Sequence, residues 1–125
     1  MTATHLGRMQ LLIMQVLWRK GRATAREITD SLNQLQPVAH STVQTLLRGL
    51  EDKGSASHQT QGRTFVFFPL VEEDKFRRNA THDLVERVFG GNVGSLVAHL
   101  LRNENVPSDE LNEIRRLIDE RGANQ

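Results

Sequence analysis

The chain has 125 residues, 38% of them hydrophobic and 25% charged, with no cysteine and a formal net charge of +1. That length buries one modest core or two small ones, and the missing thiols exclude disulfides, thiolate zinc sites, iron–sulfur ligation and cysteine nucleophiles. No apolar run approaches the roughly 18 residues of a membrane span, and the N-terminus lacks a signal-like pattern, so no membrane insertion and a cytoplasmic address are expected. Charge is unevenly spread: residues 1–70 carry a net +4 and residues 71–125 a net −3. A basic first half suits a polyanion-binding module, and the acidic second half suits a separate interaction module.

The first helix is predicted from about Leu6 to Arg19, with Leu6, Met9, Ile13, Val16 and Leu17 on one face and Leu12, Met14 and Trp18 widening it. Gly21 ends it. A second helix opens at Thr24-Ala25-Arg26-Glu27, where the threonine hydroxyl and the glutamate three residues on form a capping box. Ile28 and Leu32 are its buried pair, and Asn33 to Ala39 connect it to a third helix that starts near His40 or Ser41 and closes at Lys53-Gly54.

The third helix has two unlike faces. Val43, Leu46, Leu47 and Leu50 fall at i, i+3, i+4, i+7. The opposite arc holds Ser41, Gln44, Thr45 and Arg48: uncharged hydrogen-bonding groups and one cation, in place of the Glu/Lys mixture of a solvated face. Such a row suits base edges, although Ser41 with Gln44 also reads as a second capping box that would consume part of the polarity.

After Gly54 the period changes to strands. Residues 55–60 and 64–68 read as two arms around a Gln61-Gly62-Arg63 turn, stopped by Pro69. Three helices and a basic-tipped hairpin are the winged helix-turn-helix layout. The chain then turns helical over Glu72 to about Phe89, Val93 to Arg102 and Ser108 to about Glu120, separated by Gly90-Gly91 and Val106-Pro107. The fold class is therefore mainly α with a small β-hairpin: a winged helix-turn-helix DNA-binding domain over residues 1–70 and a three-helix dimerisation domain over residues 71–125.

Within that layout the candidate DNA contacts are Thr24, Ser41, Thr42, Gln44, Thr45, Arg48, Lys53 and Arg63. Gln44 can bond adenine at N6 and N7, and Thr45 offers a methyl to thymine and a hydroxyl to its neighbours. Arg48 can reach guanine or clamp a phosphate. Thr24 and Ser41 at helix starts can aim backbone amides at phosphates. Arg63 at the wing tip is a backbone or minor-groove candidate, and Lys53 serves equally as a complement to the helix dipole.

Enzymatic chemistry finds no footing: there is no phosphate cradle, nucleophile elbow or paired-carboxylate constellation. His5, His40, His58, His82 and His99 show no metal-binding spacing and read as isolated surface or interface residues. No metal and no cofactor are expected. About 50 residues in three helices make too small a core to stand alone. A partner chain would cover Phe76, Leu84, Val85, Val88, Phe89, Leu96, Val97, Leu100, Leu101, Leu111, Ile114, Leu117 and Ile118.

Several runs carry a resemblance. Leu17-Trp18, Ala25-Arg26-Glu27-Ile28, the stretch from Ser41 through Arg48 with Leu50, Lys53-Gly54, and Gly62-Arg63 of the wing resemble the penicillinase-repressor family of BlaI, MecI and CopY. So do Phe89-Gly90-Gly91, Leu96-Val97, Glu110-Leu111, Ile114 and Leu117-Ile118, so that the match spans Leu6 to Glu120. The resemblance implies a homodimeric repressor of inverted-repeat operators, joined through C-terminal helices and released by an inducing signal, with a sensor protease as a partner. Three departures matter. The absence of cysteine argues against thiolate copper sensing. At the candidate cleavage region, where β-lactam-responsive members are cut at Asn-Phe, this chain has His99-Leu100, so cleavage at a different bond or an inducer that acts without proteolysis is expected. Gly49 replaces a longer, often basic residue, at a helix-propensity cost of about 1 kcal/mol relative to alanine.

The expected function is thus a DNA-binding transcriptional repressor acting on double-stranded DNA as a homodimer. The alternatives are a winged-helix module that binds protein, and a metal-responsive repressor without thiolate ligands. A steep dependence of affinity on salt separates DNA binding from the protein-binding alternative, because it reports counterion release.

Overall fold

The computed structural model describes residues 6–124, so His5 lies outside the described part. In chain order the elements are α1 (Arg8–Lys20), β1 (Ala23–Thr24), α2 (Ala25–Asn33), α3 (His40–Asp52), β2 (Ala56–Gln61), β3 (Thr64–Pro69), α4 (Glu73–Val88), α5 (Val93–Asn103) and α6 (Ser108–Ala123). The chain separates into two compact units at Asp83/Leu84.

The first unit is built on the apolar stripes of its helices. Ile13, Met14 and Leu17 of α1, Ile28 and Leu32 of α2, and Val43, Leu47 and Leu50 of α3 are buried together, with Phe67 of β3 and Ala56 of β2 closing the cluster. α1 ends as its sequence dictates, with Arg19 and Lys20 in the last turn and Gly21 at φ 82° donating its amide to Leu17. Asn33 fixes the α2–α3 connection: its amide donates to the carbonyls of Thr29 and Val38 at 2.8 and 3.0 Å and accepts from the Val38 amide at 3.2 Å.

Three features differ from the sequence reading. The hairpin is part of a three-stranded antiparallel sheet in the order β1-β3-β2, because Ala23 and Thr24 pair with Phe67 and Val66; two residues are too short for a period to announce. The Ser41–Gln44 capping box does not form. Ala39 is the N-cap of α3, and its carbonyl takes the amides of Thr42 and Val43 at 3.1 and 3.2 Å, which leaves Ser41 inside the first turn.

Thirdly, the division between units falls at residues 83/84 instead of 70/71. The Trp18 indole donates to the Val71 carbonyl at 2.8 Å, and its ring lies 5.6 Å from that of Phe76. Phe76, expected on the dimer face, is only 8% exposed and belongs to the packing of the first unit. The first turn of α4 therefore completes the winged unit.

The second unit is different in kind. Gly90 and Gly91, at φ 59° and 81°, break α4 from α5, and the Asn92 side chain caps α5 by accepting from the Ser95 amide at 2.9 Å. Val85 is buried, but α5 and α6 contain no buried residue. Leu84, Val88, Val93, Leu100, Leu101, Leu117 and Ile118 are all exposed, Ile118 to 60%. Phe89, Leu96, Val97, Leu111 and Ile114 are half-buried. Arg116 pairs with Glu113 and Glu120 on α6; the contact with Glu113 holds that carboxyl below its usual range and raises the guanidinium. Among the described residues no helix is long and apolar enough to cross a membrane.

Candidate nucleic-acid interface

The interface is assembled from α3, the start of α2 and the hairpin. Burial of Val43, Leu47 and Leu50 fixes the rotation of α3, so Ser41, Thr42, Gln44, Thr45 and Arg48 all emerge on its exposed side. Since the N-cap is Ala39, capping claims none of these side chains. Ser41, Thr42 and Gln44 make no side-chain hydrogen bond among the described residues. Thr45 Oγ1 donates to the Ser41 carbonyl at 3.1 Å and accepts from Arg48 at 3.2 Å, which leaves its methyl group as its free recognition element.

Thr24 holds the capping box read from the sequence. Its amide donates to Glu27 Oε1 at 2.9 Å and its hydroxyl accepts from the Glu27 amide at 3.1 Å. The Thr24 amide is thereby committed within the chain. The bond from the Thr24 amide foremost, and then the Thr24 side chain, hold the Glu27 carboxyl below its ordinary value of 4.5, against an opposing effect of burial and with help from Lys20.

At the other end of α3, the Lys53 ammonium donates to Gln10 Oε1 of α1 at 2.8 Å. Gly49 faces the same glutamine: a Cβ there would lie 2.8 Å from Gln10 Nε2. The close approach that this glycine permits is thus to α1. Lys53 stands apart from the polar row, at the C-terminal end of the helix.

The wing is held to α3 by a cluster of residues drawn from α3, β2 and β3. His58 Nδ1 of β2 lies 2.9 Å from both carboxylate oxygens of Glu51 on α3. Its ring stacks on Phe65 at 4.1 Å and meets Phe67, directly opposite in the ladder, at 5.4 Å. Period-two alternation could have grouped His58, Phe65 and Phe67 on one face, but nothing linear signals Glu51. At the hairpin tip Gly62, at φ 64°, makes the turn and Arg63, exposed, follows it. Arg22 braces the outer side, bonded to Gln59 with its guanidinium 5.9 Å from the Phe68 ring centroid.

Between these elements lies an open cleft of about 610 Å³, walled by Arg26, His40, Gln44, Arg48, Glu51, His58, Arg63 and Phe65 among others. Three guanidinium groups face it against one carboxylate, and that carboxylate is engaged by His58. Arg26 and His40 are not among the DNA-contact candidates read from the sequence. Among the described residues no group of three His, Asp or Glu side chains could hold a metal ion. The arrangement presents donors and positive charge to an extended anion, and no nucleophile–base pair.

Three packed helices, a strand-braced wing and an outward polar row on the third helix define the winged-helix class of regulator. The chain belongs to the penicillinase repressor family, whose pattern matches residues 6–120. It is 28% identical over 111 residues to the penicillinase repressor of Bacillus licheniformis, covering 89% of this chain and 87% of that protein. To the methicillin resistance regulatory protein MecI of Staphylococcus aureus strain N315 it is 25% identical over 109 residues, covering 87% and 89%. The solved DNA-binding domain of the repressor BlaI superposes with a TM-score of 0.52 at 28% identity, covering 58% of this chain and 88% of that one. The protein is accordingly a transcriptional repressor and not an enzyme.

Proposed function

We propose that the chain represses transcription in the cytoplasm by binding an inverted-repeat operator in double-stranded DNA as a homodimer, and that an inducing signal releases it. The observation that carries the DNA reading is the exposed row Ser41, Thr42, Gln44, Thr45 and Arg48, uncapped and projecting from a helix whose rotation is locked by burial. In this reading α3 enters the major groove, Gln44 and the Thr45 methyl meet base edges, and Arg48 and Arg63 meet phosphates. Thr24, Ser41 and Thr42 contribute at the groove's edge, and Lys53 steadies the end of α3 through Gln10.

The homodimer is supported by α5 and α6, which carry apolar side chains yet bury none of them fully. A second copy would cover Leu84, Val88, Phe89, Leu96, Val97, Leu100, Leu101, Leu111, Ile114, Leu117 and Ile118; an isologous pairing puts one recognition helix on each half of an inverted repeat. Release by a sensor protease is one route. His99 and Leu100 lie inside α5, so cutting between them requires the helix to open first.

The experiment is a titration of inverted-repeat and mixed-sequence duplexes with the wild type and Gln44→Ala. Loss of a bidentate base contact costs about 1–3 kcal/mol on the specific duplex and leaves mixed-sequence binding almost unchanged. An unaltered ratio of specific to mixed affinity would remove α3 from the groove.

A further inference from the structure

We propose that His40, in the first turn of α3, is a phosphate ligand whose protonation is coupled to DNA binding; this rests on the α3-and-wing reading above. The geometry begins at Thr29, which is buried and whose hydroxyl donates to the Ala25 carbonyl at 2.8 Å. A hydroxyl has one hydrogen, so Thr29 Oγ1 meets His40 Nδ1, also 2.8 Å away, as an acceptor. Nδ1 therefore carries a hydrogen, and in the neutral ring Nε2 is left as a lone-pair acceptor. His40 lines the cleft, and no hydrogen-bond partner other than Thr29 meets its side chain among the described residues.

A phosphate oxygen only accepts, so a neutral His40 meets DNA acceptor against acceptor. The protonated ring instead donates inward to Thr29 and outward to phosphate at once. The other charged or titratable groups on the cleft are Arg26 from α2, Arg48 and Glu51 from α3, His58 from β2 and Arg63 from the hairpin turn. Glu51 is engaged by His58, so the three guanidinium groups leave the free cleft with a positive potential. Phosphates entering the cleft reverse that potential. Binding then draws a proton onto His40.

The contact is to the backbone, so a mixed-sequence duplex suffices as the probe, with the full chain at low salt. Calorimetry in buffers of different ionisation heat, from about pH 5.5 to 8 where imidazoles titrate, reads proton uptake directly. The wild type should take up a proton at His40, at most one per protomer, with affinity rising up to tenfold for each unit of falling pH. His40→Asn keeps an amide donor for Thr29 but has nothing in the place of Nε2, so it should lose that share of uptake. Nitrogen-15 spectra of the wild-type imidazoles give a second readout that needs no variant: His40 should be the Nδ1–H tautomer when free at high pH and an imidazolium in the complex. Equal proton uptake by wild type and His40→Asn, or a neutral His40 in the complex, would overturn the proposal while leaving DNA binding intact. No binding of any duplex by the wild type would overturn the underlying reading as well.

Discussion

Single residues show where this chain trades local preference for contact. Gly49 costs about 1 kcal/mol of helix propensity in an otherwise well-formed α3, and the tight approach of Gln10 is the visible compensation. The obstructing atom is the end of a flexible side chain. Gly49→Ala should therefore stabilise the fold by less than about 1 kcal/mol, with the full increment recovered when Gln10 is also shortened to alanine; thermal melts of the four combinations read that coupling. Glu27 offers a prediction with a defined sign. Its folded-state carboxyl sits below the ordinary 4.5 because Thr24 bonds the charged form, so its contribution is complete above that pH and fades as pH falls through the lower folded value. Glu27→Ala should cost about 1 kcal/mol near neutrality, the usual scale of a lost cap. Urea midpoints of wild type and variant should converge in acid; a gap that stayed constant with pH would mean that the charge plays no part in the cap.

At the level of elements, the wing acts at a distance set by its attachment to α3. Arg63→Ala should weaken binding to every sequence alike and lower the slope of log affinity on log salt by about one unit, the mark of one lost phosphate contact. Because the His58–Glu51 contact and the His58–Phe65 stack tie the hairpin to α3, His58→Ala should shed part of the same affinity with Arg63 intact. Adding Arg63→Ala to it should then cost less than it does alone, and full additivity in duplex titrations would show the two acting separately. The elements themselves were mostly legible in the sequence. The stripe of α3, the Thr24–Glu27 cap, the Gly62-Arg63 turn and the Gly90-Gly91 break each follow from local chemistry, and all appear. What escaped depends on tertiary pairing: β1 is two residues long and exists only against β3, Ala39 outcompeted Ser41 as the N-cap, and Glu51 meets His58 across a helix–strand junction. The polar row on α3 was visible because helical period places it. The cleft residues Arg26 and His40 were not, since no repeat connects the start of α2 to the start of α3.

For the whole molecule, the contrast between the units is the mechanism's foundation. The first buries a core of its own, with Ile13, Leu17, Ile28, Val43, Leu47 and Leu50 closed off from solvent, whereas α5 and α6 of the second bury no residue and leave Leu117 51% and Ile118 60% exposed. On the proposed homodimer reading, covering this unit with a second copy would stabilise it, which would couple dimer formation to folding of the tail. In the proposed dimer, one winged unit bound to its half-site presents the other at an effective concentration on the order of millimolar. Severing the tail removes that advantage and alters no DNA contact. The place of the cut matters, because Trp18 is bonded to Val71 and packed on Phe76: a fragment ending at Leu70 loses part of the winged unit, whereas one ending at Asp83 keeps it. The fragment ending at Asp83 should sediment as a monomer, melt cooperatively and keep the Gln44-dependent preference for a half-site. Its affinity for the full inverted repeat should fall by about 10²–10⁴ relative to the intact chain. A fragment that stayed dimeric in the ultracentrifuge and matched the intact protein on the inverted repeat would place the dimer contact in the winged unit and sink release by tail cleavage.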